Sequence, residues 1–90
     1  MSTVRYESGK TKRYQVTVYN NDEMSFDYVI DAFQMVLGYD LTQAANCANL
    51  IHTRGEYVVK SYAELKHAEA ALDMLYEYGF KADVLDKRQK

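Results

Sequence analysis

The sequence predicts an α+β fold: a small three-stranded, mainly antiparallel sheet covered on one face by three helices, in the order β-α-α-β-α-β. Three observations carry this. Alternating apolar residues mark short strands near Tyr14–Tyr19, Tyr57–Val59 and Phe80–Val84. Apolar residues at helical spacing mark three longer segments between and after them. Gly38, Gly55 and Gly79 fall where each helical pattern stops. Three strands cannot hide both faces of a sheet, so the helices are expected on one side.

Taken in order, residues 1–13 are polar, with Gly9, Lys10, Lys12 and Arg13 and no periodicity, and read as a flexible arm. The domain proper is expected over 14–86, with 87–90 as a disordered tail. In the first strand Tyr14, Val16 and Val18 share one face of a run rich in β-formers. A polar turn follows, Asn20-Asn21-Asp22-Glu23, without Gly or Pro; Asn and Asp make such turns by bonding the backbone locally.

Ser25 is placed to cap the first helix, whose stripe is Phe26, Val29, Ile30, Phe33, Val36 and Leu37. Asp40 and Gln43 have capping-box spacing for the second, with Leu41, Ala44, Ala45, Ala48 and Ile51 on its apolar side. Its alanines suggest close packing against a neighbour. Ser61 and Glu64 match S-x-x-E before the third helix, which should turn Leu65, Ala68, Leu72, Leu75 and Tyr76 inward. Phe80, Ala82 and Val84 alternate as the last strand.

Composition narrows the function classes. Ninety residues suffice for one small domain and one modest core, not for a two-lobed enzyme cleft. Net charge is −2, which argues against nucleic acid, whose binding draws on clustered Lys and Arg. No apolar run approaches the ~18 residues of a membrane span, and the N-terminus lacks the apolar segment of a signal peptide. The single cysteine, Cys47, excludes an intrachain disulfide framework and fits a reducing, cytoplasmic compartment.

Catalytic constellations are missing. Cys47 and His52 are five apart and point to different sides of a helix. His52 and His67 have no cysteine or carboxylate in metal-ligand spacing, so no metal is expected. The glycines punctuate elements and form no phosphate loop. The nine tyrosines lack the basic interleaving of a single-strand nucleic-acid platform. Glu64, Lys66, Glu69, Asp73 and Glu77 give the third helix a charged outer face. No cofactor is expected.

At this point the chain resembles the ClpS family, adaptors that hand N-degron proteins to a Clp protease. The resemblance rests on the alternating strand Tyr14–Tyr19, the turn Asn20-Asn21-Asp22, the apolar Phe26 four positions after Asp22, and the segment Ala48-Asn49-Leu50-Ile51-His52 followed by Gly55. The spacing between the two motifs matches without a gap, and the likeness covers about residues 14 to 85. It implies that Asn20, Asp22 and His52 bind a substrate's α-amino group. It further implies a side-chain pocket of Met24, Phe26, Val29, Ala48 and Ile51, with a last wall near Ala82. Contact with the N-terminal domain of a Clp AAA+ unfoldase falls on early helix three, where Glu64 and Glu69 are the matches. Asn21 stands where the family usually has its first Asp, Phe26 where Met is usual, and Ala48 where a larger residue is usual.

The expected function is therefore a non-enzymatic adaptor for proteins beginning with Leu, Phe, Tyr or Trp. It would be monomeric and located in the cytoplasm or in the stroma of an organelle of bacterial origin. The alternative is a small α/β protein-interaction domain of the ribosomal-stalk C-terminal type, without N-degron activity. The triplet Asn20, Asp22, His52 discriminates the two, because a scaffold has no need of it.

Overall fold

The computed structural model describes residues 13–86; the expected arm, apart from Arg13, and the expected tail 87–90 lie outside them. The element order is β1 (Tyr14–Tyr19), α1 (Phe26–Leu37), α2 (Leu41–Arg54), β2 (Glu56–Tyr62), α3 (Leu65–Glu77) and β3 (Ala82–Asp86). β1 is the central strand of the three, in the order β2-β1-β3, and both pairings are antiparallel. The fold is thus the expected α+β arrangement.

In β1 the buried run is Val16-Thr17-Val18, with Thr17 buried as well as the two valines. Val16 and Val18 are fully buried and meet Ala32, Phe33, Leu37, Ala44, Ile51, Ala68 and Leu75 from the three helices in one core. Pairing of β1 with β2 jumps from Val16–Lys60 to Thr17–Val58, so Val59 is the extra residue of a bulge.

Local signals set most helix ends. The Ser25 hydroxyl accepts from the Tyr28 N–H, and the Asp40 carboxylate accepts from the Gln43 N–H. Both satisfy donors that the first turn leaves without a partner. Gly38 and Gly55 end α1 and α2 with left-handed backbone, a conformation that L side chains rarely adopt.

Helix three departs from expectation. Ser61 does not cap it: β2 runs on to Tyr62, with Ser61 opposite Gln15 and Tyr62 opposite Tyr14. Pairing along the whole of β1 outweighs one local capping interaction, and the helix starts at Leu65 with Glu64 as a cap residue that makes no side-chain cap bond. Its inward face is also shifted. Ala71 is buried beside Ala68 and Leu75, whereas Leu65 and Tyr76 are exposed. Tyr76 lies along the surface and donates its hydroxyl to the Ala82 carbonyl. No helix among the described residues is long and apolar enough to cross a membrane.

Candidate functional site

Two backbone hydrogen bonds draw separate elements together at one end of the sheet. The Asn20 N–H donates to the Gly55 carbonyl at 2.8 Å, tying the turn after β1 to the end of α2. The Tyr19 N–H donates to the Lys81 carbonyl at 2.9 Å, tying β1 to the approach of β3. Within the turn, the Met24 N–H reaches the Asn21 carbonyl and the Asn21 side-chain oxygen accepts from the Glu23 N–H. The turn therefore needs no Gly or Pro: Asn21 supplies its local bond.

A cleft of about 260 Å³ opens where these elements meet. That is below the ~300–1,000 Å³ of clefts that hold drug-sized molecules, and on the scale of one large side chain. Met24, Phe26, Val29, Ala48, Ile51 and Phe80 give it apolar walls; Asn20, Asn21, Asp22 and His52 give it a polar mouth, with Tyr19 alongside.

The mouth residues Asn20, Asp22 and His52 are solvent-exposed. The Asn20 Nδ2 donates to Asp22 Oδ1 at 2.8 Å. This hydrogen bond orients the pair, leaving the Asn20 amide oxygen and the rest of the Asp22 carboxylate as acceptors. His52 reaches the same mouth from the last turn of α2. Phe26 stands on the rim, 47% exposed although it opens the apolar stripe of α1, while Ala48 and Ile51 are buried against the core.

Eight residues singled out from the sequence thus share one cleft: Asn20, Asp22, Met24, Phe26, Val29, Ala48, Ile51 and His52. Ala82 is not with them. It is buried at the start of β3, paired with Val18 of β1, and the wall expected there comes from Phe80, two residues earlier. The alternating pattern put Phe80 in the strand, but Gly79 has a positive φ of 95° and the chain turns through it, so the strand starts only at Ala82. Gly79 was the signal that the residue after it belongs to a turn.

Glu64 and Glu69 are also elsewhere. β2 leads into α3 past Tyr62, opposite Tyr14, whereas the cleft lies past Tyr19. Five residue steps along β1, roughly 17 Å, separate its two ends. Glu64 Oε1 lies 3.7 Å from Lys66 Nζ, and Glu69 is exposed on α3.

Burial pushes the Cys47 thiol up from its ordinary value, which leaves less of the thiolate that nucleophilic chemistry needs. A hydrogen bond to Asp83, 3.2 Å away, raises the Tyr19 hydroxyl. Among the described residues no group of three or more His, Cys, Asp or Glu is placed to hold a metal ion.

An α+β domain with one side-chain-sized apolar cleft and a polar, acidic mouth defines a small recognition module. Comparison with known proteins makes the class specific. The family model of ClpS, the ATP-dependent Clp protease adaptor protein, matches residues 9–82. The Clp protease adapter proteins ClpS of three Xylella fastidiosa strains, M12, M23 and Temecula1, are each 34% identical over 77 residues, covering 80% of this chain and 72% of theirs. The solved structure of Agrobacterium tumefaciens ClpS2 bound to L-phenylalaninamide shares the fold, with a TM-score of 0.66 at 22% identity over 82% of this chain and 98% of that one. The chain belongs to the ClpS family and is an adaptor of the ATP-dependent Clp protease.

Proposed function

We propose that the cleft takes the first residue of a protein marked for degradation, with the α-ammonium group at the mouth and the side chain against the apolar walls. The observation that supports this most is the meeting of Asn20, Asp22 and His52 at the rim of a cleft sized for one side chain. An α-ammonium group has three N–H donors and wants three acceptors, one of them charged. Asn20 offers an amide oxygen, Asp22 a carboxylate and His52 a ring nitrogen. A large apolar side chain gains roughly 1.5–3 kcal/mol on burial. The cleft thus favours Leu, Phe, Tyr or Trp in the first position. The phenylalaninamide in the Agrobacterium ClpS2 structure, a free amine beside an aromatic side chain, is of the same chemistry.

Delivery follows from the same reading. The bound protein is presented to the N-terminal domain of a Clp AAA+ unfoldase through early α3, where Glu64 and Glu69 lie. That surface is remote from the cleft, so cargo and unfoldase bind together. One copy of the chain suffices, acting as a monomer in the cytoplasm or in the stroma of an organelle of bacterial origin.

Calorimetric titration with two peptides tests the core of this. One begins with a free Phe and the other is its N-acetylated form. Acetylation removes the charge and two donors and strands polar groups at the mouth, each worth roughly 1–3 kcal/mol. The free peptide should bind and the acetylated one should not. Equal affinities would eliminate the proposal.

A further inference from the structure

Phe80, expected from its alternation to belong to the last strand, is the cleft wall with the most elaborate support. The residue is only 5% exposed. It packs near-parallel to Phe33 of the core, with centroids 5.4 Å apart and planes at 24°, and to Tyr28 of α1, at 6.3 Å and 28°. Tyr28 is itself tethered: its hydroxyl donates to the Tyr78 carbonyl at 2.6 Å, and its ring lies 6.1 Å from that of Tyr78. The intervening Gly79 is packed so closely that a Cβ there would come within 3.3 Å of Met24 Cε, on a second cleft residue. A turn that looks like a mere connection between α3 and β3 is thus held from α1 on one side and from the Asn20–Met24 turn on the other.

We propose that this turn, held in place by Tyr28, makes the cleft select an aromatic first side chain over a branched aliphatic one. Phe80 is the reading residue and Tyr28 a positioning residue. The inference rests on the cleft being a first-residue site, as proposed above. An aromatic side chain among Phe26 and Phe80 gains ring–ring contact in addition to the area it buries; a leucine gains the area alone. The size of an aromatic pair contribution corresponds to roughly 3- to 10-fold in affinity. Advantage of this kind depends on the angle and distance of the ring. A Phe80 fixed by Phe33 and Tyr28 can supply it, and a freely turning side chain cannot.

Two peptides differing only in a first Phe or Leu, each free and N-acetylated, are titrated against the unaltered protein, Tyr28→Phe and Phe80→Leu. The unaltered protein should prefer Phe by about 3- to 10-fold. Phe80→Leu should bring the ratio close to one, chiefly by weakening the Phe peptide. Tyr28→Phe keeps the ring and loses the tether, and should lower the ratio about 2-fold or more while the melting temperature stays near that of the unaltered protein. A merely structural role would weaken both peptides together and leave the ratio unmoved, which overturns the proposal. If Phe80→Leu fails to fold by circular dichroism, the Tyr28→Phe ratio decides alone. If the acetylated peptides bind as well as the free ones, the first-residue reading falls and this inference with it. If they do not bind and the ratio is constant across the variants, only the aromatic selectivity falls.

Discussion

The two ends of the sheet begin from the same local device and finish differently. Each receives the end of a helix closed by a left-handed glycine: Gly38 after α1 at one end, Gly55 after α2 at the other. Beyond Gly38 the side chains satisfy carbonyls of the fold itself. Lys60 extends from β2 to donate to the Leu37 carbonyl at 3.3 Å, with its ammonium 5.7 Å and 5.4 Å from the ring centres of Tyr39 and Tyr62. The Tyr39 hydroxyl donates to the carbonyl of Val59, the bulge residue that strand pairing leaves over. Nearby, Arg13 Nε lies 3.0 Å from Asp86 and brackets the strand ends. Beyond Gly55 the space is open: exposed Asn20, Asp22 and His52 surround a cleft instead of a plug. The difference teaches where the fold keeps its polar groups satisfied internally and where it leaves them for a ligand.

The largest expected effect lies at the open end. Asp22→Ala and His52→Ala should each weaken binding of a free N-terminal Phe peptide by about ten- to a hundredfold, the scale of a hydrogen bond to a charged group. Melting temperature should hardly change, because both side chains are exposed. Loss of folding by circular dichroism in either variant would make the two ends alike and both structural.

The closed end should answer in the opposite way. Tyr39→Phe leaves the Val59 carbonyl without its donor and should lower stability by about 1 kcal/mol, with peptide affinity unchanged. It should also alter the response to base. Burial pushes the Tyr39 hydroxyl up to about 12 from an ordinary value of 10.0. Between those values the unfolded chain has released this proton and the folded chain still holds it. The stability tied to the neutral hydroxyl is therefore complete below about pH 10 and is lost as pH rises toward 12. Thermal unfolding over that window should fall less steeply for Tyr39→Phe than for the unaltered protein. Identical slopes would remove Tyr39 from the account of the closed end.

These contrasts were unevenly legible in the sequence. The cap at Ser25, the acceptor at Asp40 and the stops at Gly38 and Gly55 depend on neighbours three or four residues away, and a local pattern carries them fully. Eight cleft residues were legible because they sit in two short motifs, 20–29 and 48–52, whose spacing the family resemblance fixed. What failed depends on distant partners. Ser61 looks like a cap until β2 is paired along the length of β1. The place of Phe80 needs the turn at Gly79 and the rings of Phe33 and Tyr28, 47 and 52 positions earlier in the chain. Lys60 likewise finds its partner, the Leu37 carbonyl, 23 positions away.

Whether the open end takes a free N-terminus can be read residue by residue. Backbone amide signals of the isotopically labelled protein are followed by nuclear magnetic resonance as a short peptide with a free N-terminal Phe is added. Saturable shifts are expected at Asn20, Asp22, Phe26, His52 and Phe80, with Tyr39, Lys60 and Tyr62 at the other end unmoved, and no shifts with the N-acetylated peptide. Shifts centred on Tyr39 and Lys60 would move the binding site to the closed end, and the same shifts from both peptides would remove the free amine from recognition.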